Sequence, residues 1–594
     1  KKKKKKKAST TEEDDASAEQ DPSSFDEDGS VPEEEEEDTT VPFDTAGAHT
    51  LAKFVTTVVA RADEASKFHV LTCLAFHRKD PVRAFYATAA WRLDDPSTVA
   101  LAHVLRHALM AVDDAELRAS GDPLGLFELR TIVARLKDPL FRHLCAAAET
   151  ATATPLGSPP WLAPIAGLLA DLHARSCRRA LAPADAWIVS GASAAIASEA
   201  RSSSSQTQHP VLTYMPQCVP FRERAKLVLS GVSSSRHTEE TSEATHKTLI
   251  TVRRGHVFRD GFDAIASLSR DRLRGRLSII FVDAFGRHEA GVDAGGLFKE
   301  FWTELAAAVF APDVGLFKTS ETSLQMYPNP DAASLHGARD APALFKFVGR
   351  VVGKAVAEGV TLQPRFNRFF LAFVRRGGRF DFGALLDDLA AVDPDLHKNL
   401  KFLSLYDAAL VGDLGLTFQV THDDAFGRVV TKDLVPHGGD RAVTAANRFQ
   451  YVQLVAKYHL VDRLAANATA FVDGLADALD LELLRMFSEP ELQLLISGAE
   501  DAVDLEDLER HTRYENFSSV LPADRRLVQR FWAVAKSLDK RDKAMLLKFA
   551  TSCERAPPLG FASLAPPFTL RKVPLDDYGA AGSTSSASSS SSSS

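Results

Sequence analysis

Residues 277–305, LSIIFVDAFGRHEAGVDAGGLFKEFWTEL, constrain this chain more than any other stretch. A β-branched apolar run reads as a buried strand, an acidic glycine-rich loop follows, and an amphipathic helix closes the block. Gly295 and Gly296 suit a tight turn at positive φ, and Asp293 is placed to cap the helix carrying Phe298, Phe301 and Trp302. Forty residues on, FKFVGRVVGKAVAEGVTL (345–362) sets Gly349 and Gly353 four apart. In a water-soluble helix that spacing predicts close helix packing. No GxGxxG or GK[ST] accompanies it, so a phosphate cradle is excluded.

The surrounding chain divides by composition. Residues 1–46 join a run of seven lysines to an acid-rich Ser/Thr/Pro segment that cannot bury enough apolar area to fold, so this tail is expected to be disordered. The tail dominates the net charge of −9: fifteen acidic residues lie between Glu12 and Asp38, and the remainder of the chain is close to neutral. The body therefore gives no electrostatic case for nucleic acid as a partner. Residues 47–200 are rich in Ala and Leu. Leu101, Val104, Leu105, Ala108, Leu109 and Val112 recur at helical spacing after Asp94, Asp95 and Pro96, and similar patterns surround 127–144 and 162–173. A stack of helices follows, all-α; a solenoid end is one reading, and a plain helical domain is preferred because no fixed period recurs. Residues 201–248 read as linker and polar loop, 249–498 and 499–577 as two blocks dense in regular structure, and 578–594 as a serine-rich tract.

Five cysteines (Cys73, Cys145, Cys177, Cys218, Cys553) lie far apart, with no CxxC pair and no zinc spacing. A reducing, intracellular setting is expected, cytoplasmic, with the nucleus left open by the lysine run. No apolar run reaches the roughly 20 residues needed to span a bilayer, so no membrane partner is expected, and neither metal nor small cofactor is implied.

Several blocks in order, TVRRGHVFRDGFDAI (251–265), EAGVDAGGLFKEFW (289–302), GLFKTSETSLQMYPNP (315–330), LVPHGGDRAVTAANRFQYV (434–452), MFSEPELQLLISG (486–498), DLEDLERHTRYENF (504–517) and 531–568, together resemble the HECT-type ubiquitin ligases. The resemblance covers about Leu249 to Leu570. It implies an α+β, bilobal fold: a mainly helical first lobe over 249–498 with a subdomain that docks a ubiquitin-conjugating enzyme, and a smaller α/β second lobe, incomplete here, over 499–577. By resemblance the docking subdomain lies near 396–421, where Leu400, Phe402, Leu403, Tyr406, Leu414 and Leu416 are candidates for an apolar groove, about half of them expected to line it and the rest to be core. The hinge is expected near Gly498. The implied partners are a conjugating enzyme, ubiquitin and a protein substrate; the implied chemistry is capture of ubiquitin as a cysteine thioester and its transfer to lysine.

That chemistry needs a thiolate, and the family's late block resembling LPxxxTCxNxLxLP is missing after Leu570. Cys553 matches an upstream family segment where a small residue packs, so it reads as a structural thiol. Two expectations stand: a chain interrupted within its second lobe, the preferred one, or a polypeptide that binds the conjugating enzyme without forming a thioester. A third reading, a helical scaffold acting by protein contacts alone, accounts poorly for the glycine-punctuated second half. Hydrolase, kinase and metalloenzyme constellations are absent.

Overall fold

The computed structural model describes residues 45–573, except 62–69, 72–73, 75–79, 111, 113, 150–157, 200–208, 230–247, 284–285, 290–295, 321–322, 380–384, 500–502, 519, 552 and 565. The expectations for the tail before residue 45, the 201–208 linker, the 231–247 loop, the serine tract, Cys73, Asp293 and Gly295 lie outside the described residues.

The first part is helical. Helix α1 (Thr45–Arg61) packs on α2 (Pro96–Met110), and α2 packs on α4 (Leu162–Arg178), with α3 (Leu126–Glu149) beside α4. The expected stripe forms the seam: Leu101, Val104, Leu105 and Ala108 are fully buried and Leu109 and Val112 nearly so. Asp95 starts α2 by accepting the Thr98 N–H at 2.9 Å, which satisfies one of the first-turn donors that a helix cannot pair internally.

The later part opens with two parallel strands, β1 (Thr248–Arg253) and β2 (Leu277–Val282), joined through α5 (Val257–Ser267). The apolar run of residues 277–282 is β2, buried at five of its six positions. Helix α6 (Gly296–Val309) follows, with Phe301 and Trp302 fully buried and Phe298 stacked on Trp302 at 4.8 Å. The antiparallel pair β3 (Phe317–Thr319) and β4 (Met326–Pro328) places Tyr327 in the core.

Helix α7 (Asp340–Glu358) is the axis of this lobe and lies along α10 (Ala465–Ala478). Their backbones touch. A Cβ at Gly349 would stand 2.0 Å from the Phe471 carbonyl oxygen, and one at Gly474 would stand 1.9 Å from that of Lys346. The two glycines four apart are therefore a packing device. Between these helices in sequence come α8 (Arg368–Arg375), α9 (Pro394–Leu405) and the antiparallel pair β5 (Gln419–Asp423) and β6 (Val429–Asp433).

Helix α11 (Glu489–Ser497) ends this lobe at Gly498. The second lobe comprises α12 (Leu505–Arg510), α13 (Pro522–Ser537), α14 (Lys540–Thr551) and a parallel pair, β7 (Arg513–Glu515) with β8 (Thr569–Arg571). It has its own core of Leu505, Leu508, Trp532, Ala535, Leu547, Phe561 and Phe568. One larger core runs without a break from Ala52 to Ile496, joining the helical region to the first lobe.

Candidate functional site

Helix α9 begins at Asp393, whose side chain accepts the Leu396 N–H at 2.9 Å, and it is apolar on two faces. Leu400 and Leu403, three apart and so on one face, are 5% exposed and belong to the core. Phe402 and Leu405, also three apart, form the opposite face and are 62% and 75% exposed. Tyr406 caps the helix and its ring lies 5.2 Å from that of Phe402. Arg448 donates to the Tyr406 carbonyl, fixing the chain where it leaves the helix. The next turn brings Leu410 and Leu414 to the surface, while Leu416 is half-buried and its carbonyl accepts the Val443 N–H at 2.8 Å.

Of the six expected groove residues, Phe402 and Leu414 therefore meet solvent, Tyr406 and Leu416 do so in part, and Leu400 and Leu403 are core. Leu405 and Leu410 were missed. The signal for Leu405 was present in its spacing from Phe402. Large apolar side chains clustered in water mark an interaction surface more often than chance exposure does.

At the other end of the lobe, α11 carries a capping box. The Ser488 N–H and hydroxyl both donate to Glu491 Oε2, at 2.9 and 3.0 Å. The same carboxylate receives Arg224 from the helical region, Nη1 to Oε2 at 2.9 Å. Burial alone would raise the Glu491 carboxyl, but the Arg224 guanidinium overrides it and holds the group below the usual range. The helix stops at Gly498, with φ +72° and ψ 179°, a conformation open to glycine and costly for other residues. A Cβ there would meet the Ala556 carbonyl oxygen at 2.4 Å. Few polar contacts cross this junction among the described residues: an Ala499–Ala556 bridge, Arg555 Nη1 to the Ser497 carbonyl at 3.4 Å, and Gln363 Nε2 to Glu554 at 3.3 Å.

None of the described thiols has the setting of a nucleophile. Cys177 lies 3.8 Å from His173 Nε2, which superficially suggests a dyad. Burial pushes the Cys177 thiol up to about 11 and the His173 imidazole down to about 4, so both are neutral near pH 7 and no thiolate–imidazolium pair forms. Cys218 is fully buried and pushed up to about 12. Cys145 and Cys553 pack, half-buried, against the large core. Among the described residues no cluster of three His, Cys, Asp or Glu could hold a metal ion, and no helix is long and apolar enough to cross a membrane.

A family model for the HECT domain (ubiquitin-transferase) matches residues 303–580. Residues 303–580 belong to the HECT-domain family. Ubiquitin-protein ligase E3B of Mus musculus is 33% identical over 484 residues, covering 81% of this chain and 44% of that protein. E3 ubiquitin-protein ligase UPL6 of Arabidopsis thaliana is 29% identical over 496 residues, covering 81% of this chain and 46% of its own length. E3 ubiquitin-protein ligase etc-1 of Caenorhabditis elegans is 32% identical over 374 residues, 62% of this chain and 37% of the relative. The chain thus spans less than half the length of these relatives. Because the longer alignments exceed the 303–580 match, the likeness reaches beyond the HECT domain into the helical region.

Proposed function

We propose that this chain is the donor-docking and lobe-bearing part of a HECT-type ubiquitin ligase. The observation that carries the reading is the exposed apolar face of Phe402, Leu405 and Leu414 with the half-buried Tyr406 beside it, standing in the stretch where the family resemblance puts the site for a ubiquitin-conjugating enzyme. An apolar face with two adjacent aromatic rings suits a protruding side chain of a partner, and a few such anchors supply most of an interface's energy. Ubiquitin would pass from the conjugating enzyme to a cysteine thioester and then to a substrate lysine. The weak junction at Gly498 supports a second lobe that swings between donor and acceptor.

The four described cysteines offer no candidate for the thioester step, so docking and transfer separate experimentally. Purified chain should retain ubiquitin-conjugating enzymes in a binding assay, and Phe402→Ala or Tyr406→Ala should each weaken retention about tenfold or more. Charged with ubiquitin from the donor, the same chain should form no thiol-reducible adduct. Undiminished binding by both variants would sink the docking assignment; a reducible adduct lost in Cys553→Ala would sink the account of the thiols.

A further inference from the structure

A cavity of about 450 Å³ lies between the helical region and the first lobe. Helices α2 and α4 form one wall; α8 and the turn at Met486–Glu489 form the other. Eight arginines and three carboxylates face it.

Three of these arginines are held mainly by acceptors within the protein. Arg175 and Arg178 both bind Asp114, and Arg224 binds Glu491 together with the Val219 and Met486 carbonyls. Others keep donors in reserve. Arg106 gives only Nε to Asp171, at 2.7 Å; Arg368 gives one terminal nitrogen to Asp388; Arg375 gives Nε and Nη2 to Glu489; Arg485 gives Nη1 to Glu482 at 2.7 Å. Each guanidinium carries five N–H groups, so each of these four retains at least one terminal amino group without a hydrogen bond among the described residues.

A second observation is independent of charge. Gln217 is 6% exposed, lines the same cavity, and its Nε2 has no hydrogen-bond partner among the described residues. A buried amide donor left unpaired is destabilising, and what it requires is an acceptor.

We propose that this cavity binds a small polyanion carrying several phosphate groups. A ligand rich in acceptor oxygens satisfies the Gln217 amide and the spare guanidinium groups together. The planar guanidinium fork matches phosphate oxygens in bidentate geometry. The volume lies within the range of small-molecule sites and exceeds what a single phosphate fills. Cations are disfavoured by the arginine excess. A bound polyanion would link α2 and α4 to the turn that starts α11, and so would brace the helix that ends at Gly498. Its phosphates could belong to a free compound or to a lipid headgroup.

The test uses the full chain and inositol hexakisphosphate as probe, followed by calorimetry and thermal unfolding. Saturable binding is expected, with the unfolding midpoint raised by several degrees and affinity falling as salt rises. The side chains of Arg106 and Arg485 are 38% and 46% exposed, so Arg106→Gln/Arg485→Gln should fold normally. It should bind the probe at least tenfold more weakly, as should Gln217→Leu. Inorganic phosphate alone should bind much more weakly than the probe. Capture by phosphatidylcholine vesicles containing phosphatidylinositol bisphosphate, lost in the same variants, would identify a headgroup as the source; binding of the soluble probe without vesicle capture would identify a free ligand. The proposal is overturned if folded protein shows no saturable binding, or if binding is unchanged in the variants, in which case Lys1–Lys7 hold the anion.

Discussion

Gly349 shows how much one missing methyl decides. The Phe471 carbonyl oxygen occupies the place where its Cβ would stand, so Gly349→Ala must push α7 off α10 at the centre of the first lobe. Overpacking of this kind costs about 1–3 kcal/mol, and here backbone rather than a pliable side chain must yield, which favours the upper end. Chemical denaturation should show that loss, while Gly296→Ala, with nothing within 4 Å of its added Cβ, should change stability by less than about 0.5 kcal/mol. A second residue-scale prediction concerns acid. His173 stacks edge-on against Trp187 at 4.9 Å, and burial depresses its imidazole to about 4. Above pH 6.5 the ring is neutral folded or unfolded and the shift contributes nothing. Below 6.5 the unfolded chain takes a proton that the folded chain refuses, so stability is lost as pH falls from 6.5 towards 4, by up to about 3 kcal/mol. His459, also depressed to about 4 by burial, acts in the same window. His173→Phe keeps the ring stack and should remove its own share of the acid loss, leaving a shallower slope in pH-dependent unfolding. An unchanged slope would count against a buried neutral His173.

At the scale of the element, the segment from α11 into the second lobe joins two opposing demands. Its start is locked by the Ser488–Glu491–Arg224 network, and its end sits in a conformation that favours glycine. Gly498→Ala imposes both positive-φ strain and the 2.4 Å contact with the Ala556 carbonyl. Hydrogen exchange should then report loss of protection around 553–561, with the amides of α7 and α10 little changed. Equal loss in both places would place Gly498 inside the first lobe's cooperative unit. A proline at this position would not test stiffness, because its fixed φ near −65° is incompatible with +72°. Sequence patterning reached some elements and not others for physical reasons. The stripe on α2 and the paired glycines of α7 are local periodicities, and one buried face explains each. Helix α9 carries two apolar faces, so periodicity alone could not say that Leu400 and Leu403 point inward while Phe402 and Leu405 face water. The Arg224–Glu491 pair is separated by 267 positions and Arg178–Asp114 by 64. Charges so distant have no period to read, and the cavity they surround emerges only once the two regions pack together.

Across the whole molecule, what matters is which parts share a core. The sequence divides the helical region from the first lobe at a polar stretch, yet the described side chains from Ala52 to Ile496 form one apolar cluster, sealed by the Phe221–Phe487 ring contact and by Arg224. Removing the helical region would expose that shared surface, so it acts as part of the lobe's foundation. The second lobe is built the other way. Seven buried apolar residues form its own core, and its polar links to the first lobe are few and near the long limit for hydrogen bonds. Local stability follows buried apolar contact, which predicts two steps in urea. Amides of α12, α13 and α14 should exchange freely at denaturant concentrations where α2, α4, α7 and α10 remain protected, and the latter four should be lost together. A single transition shared by all seven helices would show the lobes to be one cooperative body and would remove the physical basis for a swinging second lobe. Separate loss of α2 and α4 ahead of α7 would instead show that the common core is divided at the polar stretch.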